Sequence, residues 1–159
     1  METMEARMVK LYARNNNHVA LHAIPGHFAT SHSHINFYID MTSLKTRANE
    51  AQEVAKSLAG DYVNSTVVDT IVCMDGTEVV GAYLAQEFEK RGFRNTNLHD
   101  TIYVVTPEYN ANNQLIFRDN TIPAIKGKNV ILLLATTTTG LTVRRSLECV
   151  QYYGGTVHG

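Results

Sequence analysis

With 159 residues, 44% of them apolar and 18% charged, the chain reads as one globular domain with room for a sizeable core. A formal charge of -1 excludes the basic excess of a dedicated nucleic-acid binder. No apolar run reaches membrane-spanning length, and the opening M-E-T-M-E-A-R is not a signal peptide. The two cysteines, Cys73 and Cys149, fall in a strand-like and a helix-like segment. They read as buried thiols of a reducing compartment, and the cytoplasm is the expected location.

Residues 2–14 place Met4, Met8, Leu11 and Tyr12 on one side of a short helix, ended by Asn15-Asn16-Asn17. His18 to Ile24 alternates weakly, as a strand does. Pro25-Gly26 breaks the chain, and a polar loop continues to Ser33. Ile35 to Asp40 (I-N-F-Y-I-D) is the next strand. A helix from about Thr46 to Tyr62 follows, with Ala48, Ala51, Ala55 and Leu58 as a narrow face suited to close packing on a sheet.

Val67 to Met74 reads as a strand, with Asp69 inside it in a capping role. Asp75-Gly76 turns the chain, and Thr77 caps a helix whose face is Val80, Leu84 and Phe88. Gly92 ends that helix, and Thr101 to Thr106 is another strand. Residues 107–128 are long and polar around a short Q-L-I-F. An excursion of that length is a flap or hairpin over a site, or a surface insertion.

Val130 to Ala135 is uninterrupted and apolar, as in a strand buried on both faces of a parallel sheet. Four threonines and Gly140 follow, and then Val143, Leu147 and Val150 recur at helical spacing. This strand–turn–helix joint aims main-chain N–H groups and the positive end of a helix at one point, where a phosphate fits. The threonine hydroxyls add donors, and Gly140 lets the backbone come close. The plainer reading of the same residues is an N-cap and a turn. After Gly154-Gly155 a further strand should begin at Thr156, so either the sheet ends early or the chain is a truncated piece.

Alternation of strands and helices in the second half predicts an α/β fold. A mostly parallel, Rossmann-like sheet is flanked by helices, with ligands beyond the carboxyl ends of the strands. Asp75 to Glu78 and Thr136 to Thr142 are the loops at that end.

Two segments together resemble the type I phosphoribosyltransferases, nearest the orotate enzymes. I-V-C-M-D-G-T-E-V-V-G-A-Y-L-A (71–85) is similar to the strand, pyrophosphate loop and helix of that family. K-G-K-N-V-I-L-L-L-A-T-T-T-T-G-L-T (126–142) is similar to its phosphoribosyl-pyrophosphate (PRPP) signature. F-Y-I-D (37–40) resembles the strand after the family's N-terminal loop. The resemblance implies that Thr138, Thr139, Gly140, Leu141 and Thr142 surround the 5-phosphate of PRPP. It implies that Asp75, Gly76, Thr77 and Glu78 lie near the pyrophosphate, with 107–128 as a hood over the active site. It further implies Mg²⁺ on the diphosphate, a nucleobase-like acceptor, a place in pyrimidine nucleotide biosynthesis and a homodimer.

The chain departs from the family at Leu134 and Ala135, where the PRPP signature carries two acids that bind the ribose diol. Its hood carries one cation before Lys126, Arg118, in place of a lysine-rich segment. Catalytic candidates are therefore Asp75, Glu78 and Arg118, with Asp119 a further acid able to substitute. Arg144 and Arg145 either steer an anion or form a solvated helix face. The early histidines (His18, His22, His27, His32 and His34) either contact substrate or a neighbouring subunit from the N-terminal loop, His27 foremost, or include a metal pair at His32-x-His34. No metal ligand is assigned, since no cysteine or acid lies nearby before Asp40. Two function classes follow: an orotate-type phosphoribosyltransferase, or a module of that fold with the chemistry lost that senses PRPP or a nucleotide phosphate. A flavodoxin-like binder of a flavin or other phosphate ligand ranks third.

Overall fold

The computed structural model describes residues 3–30, 33–62, 67–92 and 101–159. Its centre is a four-stranded parallel sheet in the order β5-β4-β8-β9. Here β4 is Thr70–Cys73, β5 Tyr103–Val105, β8 Asn129–Leu133 and β9 Thr156–Val157. The apolar runs alternate their contacts, as strand side chains must. Ile71, Cys73, Ile131 and Leu133 enter one core cluster, with helices α2 (Ala48–Tyr62) and α3 (Glu78–Lys90). Val72, Met74 and Val130 enter a second, with Phe117, Ile125 and helix α4 (Leu141–Tyr152). Each strand thus separates two layers, which explains the lack of polar interruption in I-V-C-M and V-I-L-L-L.

Small residues set the spacing of the first layer. Ala51, Ala55 and Ala59 of α2 are fully buried, whereas Ala48 is exposed, so the narrow face runs one turn later than its spacing suggests. Gly81 of α3 lies against β4 so closely that a β-carbon there would collide with the Cys73 sulfur. The second layer is closed by β9, so a strand does follow Gly154-Gly155. Its register pairs Asn129 with Thr156 and Val130 with Val157.

The N-terminal third differs from the sequence reading. Among the described residues of 2–14, only Glu5–Arg7 forms a helical turn, of the 3-10 kind, and Val9–Ala13 is strand β1. Val9, Leu11 and Ala13 alternate with Lys10 and Tyr12, and this two-residue period prevails because the backbone pairs with β2 (Asn16–Ala29). Pro25-Gly26 does not break the chain either. β2 runs through it, and β3 (His34–Asp40) pairs with β2 on its other side, with a register shift between Pro25 and Phe28. The β1 ladder ends at the Val9–Ala23 pair, so Pro25 lies beyond it and its missing N–H costs no ladder bond there.

Helix α1 (Thr42–Thr46) leads from this sheet into α2. Residues 107–128 hold a hairpin of β6 (Glu108–Tyr109) and β7 (Leu115–Ile116), then a 3-10 turn at Ile122–Ala124. The hairpin is braced, not loose. Asn110 Oδ1 accepts from the N–H groups of Asn112 and Gln114, each at 2.9 Å. Phe117 is buried in the second layer, and the Cys149 thiol donates to the Leu115 carbonyl. No helix among the described residues is long and apolar enough to cross a membrane.

Candidate active site at the carboxyl ends of β4 and β8

Strands β4 and β8 are neighbours, so the loops that leave their carboxyl ends meet. A cavity of about 260 Å³ lies between them, lined by Asp75 and the run from Thr136 to Thr142. All five residues predicted around a 5-phosphate, Thr138, Thr139, Gly140, Leu141 and Thr142, line it. Gly140 has φ 78° and ψ 2°, the left-handed conformation, immediately before α4. A β-carbon at Gly140 would meet no neighbour, so glycine is required there by its backbone angles and not by crowding. The first bond of α4 runs from the Arg144 N–H to the Gly140 carbonyl, 2.9 Å. The first-turn amides of Thr142 and Val143 precede it at the helix end, where an anion is favoured, while the Leu141 N–H reaches the Thr139 hydroxyl at 3.4 Å. Thr136 to Thr139 are exposed, and their hydroxyls add donors at the rim.

The second loop holds two consecutive left-handed residues, Asp75 (φ 56°) and Gly76 (φ 76°). This double reversal turns the chain from β4 into α3. Thr77 occupies the N-cap position without a capping bond. Its buried hydroxyl instead donates to a carbonyl at the strand ends, 2.8 Å from Met74 O and 3.1 Å from Leu133 O. Thr77 therefore ties β4 to β8 and is turned away from the cavity. Glu78 accepts from the Thr106 hydroxyl at 3.2 Å, which links the start of α3 to the chain leaving β5.

A cation that sequence reasoning missed stands at this loop. Lys45 Nζ donates to the Asp75 carbonyl over 2.7 Å and lies 3.7 Å from where a β-carbon on Gly76 would stand. Thirty positions separate Lys45 from Asp75, and no local motif marks it. The only available signal was the F-Y-I-D strand. Asp40 closes that strand and accepts the Thr42 N–H at 3.0 Å, which fixes the start of α1. Hydrogen bonding from Thr42, side chain and backbone, holds the Asp40 carboxyl below its usual range, with smaller contributions from His22 and Lys45.

Other candidates fall elsewhere. Arg118 is paired with Glu108 across the hood hairpin at 2.7 Å. None of the described residues lining the cavity comes from 107–128, so the hood does not cover this site. The hairpin packs instead toward α4, where it forms a separate groove of about 630 Å³ that includes Arg145 and Glu148. Asp119 is exposed and does not line the cavity. Arg144 is bonded to Glu148 at 2.8 Å on the exposed face of α4. Leu134 packs against the second core layer, and a carboxylate in its place would be driven into apolar surroundings. Asp69 is fully buried, and one of its carboxylate oxygens accepts from both the backbone and the side-chain amide of Asn129 at 2.8 Å, which secures the far ends of β4 and β8. His27 lies on β2, not in a loop, because the strand continues past Pro25. His32 lies outside the described residues. No group of three or more metal-type ligands occurs among the described residues.

The parallel sheet flanked by helices is the fold of the type I phosphoribosyltransferases. The orotate phosphoribosyltransferase of Mycobacterium tuberculosis H37Rv, solved with Fe(III) dicitrate, is similar with a TM-score of 0.58 and 16% identity, over 87% of this chain and 74% of that one. The same enzyme with inorganic phosphate gives 0.57 and 15%, over 86% and 71%. The adenine phosphoribosyltransferase of Leishmania donovani gives 0.50 and 16%, over 77% and 56%. No protein-family model matches the sequence, and no curated protein does. Orotate and adenine enzymes are both matched, each at 16% identity, so the likeness establishes the fold and not the base.

Proposed function

We propose that the protein is a phosphoribosyltransferase of the orotate type. It would transfer 5-phosphoribose from PRPP to a ring nitrogen of a pyrimidine-like base. The bond from C1 of the sugar to a pyrophosphate oxygen breaks, a bond from C1 to the ring nitrogen forms, the ring nitrogen gives up its proton to solvent, and pyrophosphate leaves with its electron pair. The observation that carries the reading is the shared cavity of Asp75 and the 136–142 loop. The amides around Gly140 and the threonine hydroxyls would grip the 5-phosphate, and the Asp75-Gly76 turn would receive the pyrophosphate. Lys45 would place positive charge beside that turn, which the anionic side chains of Asp75 and Glu78 do not supply.

Mg²⁺ suits the same cavity. It takes oxygen ligands and is usually held by one or two carboxylates together with substrate phosphates. Asp75 beside a row of hydroxyls is such a donor set. When bound, the ion neutralises diphosphate charge, and Asp75 is the residue that would hold it. A homodimer in the cytoplasm is the assembly and location we propose alongside.

Leu134 favours a second reading. It fills core space where the family signature carries an acid, so the sugar diol lacks a carboxylate partner there. A module that binds PRPP or a nucleotide phosphate in a regulatory role needs the phosphate grip alone. Incubation with PRPP, Mg²⁺ and orotate separates the two. Release of pyrophosphate supports the enzyme. Binding of PRPP or ribose 5-phosphate without turnover supports the module. Absence of any binding overturns both.

A further inference from the structure

The geometry points to a transition-metal site of two imidazoles, His27 and His34, at the far end of the β2–β3 hairpin. The sheet itself brings them together. Ala29 pairs with His34 and Phe28 with Ile35. His27 lies within the register shift between Pro25 and Phe28, and there its ring meets that of His34 on the neighbouring strand. The register shift after Pro25 re-aims the strand at this point, as β-bulges do beside functional groups. The hairpin end is braced. The Thr30 N–H and hydroxyl each reach the Ser33 carbonyl at 2.8 Å, and the Ser33 N–H returns to the Thr30 hydroxyl at 2.9 Å.

The rings converge on this support. His34 Nδ1 and His27 Nε2 are 2.8 Å apart, with ring centroids at 4.9 Å and planes tilted by 39°. Both residues are exposed, so the pair is open to solvent. In a neutral pair one nitrogen donates its proton to the other's lone pair. A shift of tautomer turns both lone pairs inward. Tetrahedral coordination at about 2.0–2.1 Å per bond needs the two nitrogens roughly 3.3 Å apart, an opening of about half an ångström from the observed contact. Imidazole ligands select borderline ions such as Zn²⁺, Ni²⁺ or Cu²⁺ over Mg²⁺, so this site is chemically distinct from the oxygen-lined cavity at Asp75. Two protein ligands leave the remaining positions for water or an added anionic ligand.

Calorimetric titration of metal-free protein with zinc chloride tests the assignment. One zinc ion per chain is expected, and His27→Ala and His34→Ala should each weaken it by at least about tenfold, since even partners one shell further out cost that much. His22→Ala, on the same strand but unpaired with either ring, should leave it unchanged. Nitrogen-15 shifts of the imidazoles in the unaltered protein give a readout that needs no variant. Zinc should move His27 Nε2 and His34 Nδ1 together. Uptake that survives both substitutions, shifts confined to other histidines, or no uptake at zinc on the order of 1 mM, where a site of millimolar Kd would be half filled, overturns it.

Discussion

Lys45 donates to the main-chain carbonyl of Asp75 across 2.7 Å, so a short helix next to the N-terminal sheet delivers positive charge to the mouth of the central one. An incoming pyrophosphate would compete for that ammonium. Lys45→Met should weaken PRPP and pyrophosphate binding about fivefold, since a half-exposed charge pair contributes roughly 1 kcal/mol. Ribose 5-phosphate, which lacks the diphosphate, should bind as before. Equal affinity of both proteins for pyrophosphate in calorimetry would show that Lys45 only holds the turn.

Gly140→Val should abolish binding of ribose 5-phosphate. A side chain in the left-handed conformation costs about 1–2 kcal/mol, and the loop relieves it by moving the amides out of register. The melting temperature should fall only slightly, because a β-carbon there meets no neighbour. Undiminished phosphate binding would place the anion elsewhere.

Restoring acid at the sugar has two separable effects. Ala135→Asp, on a half-buried position beside the cavity loop, should tighten PRPP severalfold by giving the diol an acceptor. Leu134→Asp should lower the melting temperature, because Leu134 packs against the second core layer. Burial of a carboxylate without a partner costs several kcal/mol. Tightening by neither change would mean that the diol does not lie there.

Thr77→Val should destabilise the fold by about 0.5–1.5 kcal/mol, the net value of one hydrogen bond, because the Met74 and Leu133 carbonyls each keep a main-chain donor, Thr77 N and Met74 N. Ribose 5-phosphate affinity should stay the same, because the Thr77 hydroxyl faces the strand ends. Denaturant unfolding and calorimetry together check this. A loss of affinity with no loss of stability would put Thr77 in the cavity.

Asp40 supplies a pH dependence. Its folded carboxyl titrates below the unfolded value through its bonds from Thr42. The stability it contributes is therefore complete above the unfolded pKa, about 3.9, and is lost as the pH falls from there through the lowered folded pKa. Asp40→Asn should flatten the acid limb of unfolding free energy against pH in that window and change nothing near neutrality on account of titration. An unchanged acid limb would contradict the assignment.

The two loops were legible because each advertises itself locally. Asp75-Gly76 is a turn signal, and Thr-Thr-Gly after an apolar run is an anion signal, whatever the rest of the chain does. The parallel sheet was legible for the same reason, since strands buried on both faces lose their polar positions. What the sequence hid depends on distant partners. Val9 to Ala13 becomes a strand because β2 lies beside it, and Pro25 survives in β2 because the β1 ladder stops at the Val9–Ala23 pair. Lys45 gains its role by facing a loop from another part of the chain. Residues 107–128 hold a hairpin, yet the apolar Leu115 and Phe117 draw that stretch onto the α4 layer and away from the cavity at Asp75.

Cys73 lies in the layer shared with α2 and α3, and Cys149 in the layer under α4. Burial pushes the first thiol up to about 12 and the second up to about 11, so neither is a thiolate while the sheet is closed. The molecule therefore carries an intrinsic clock on each side of its sheet. Trapping by a disulfide reagent reads how often one slab lifts away, independently of the other. If ligand capture steadies the slab containing α4, the Cys149 reaction alone should slow.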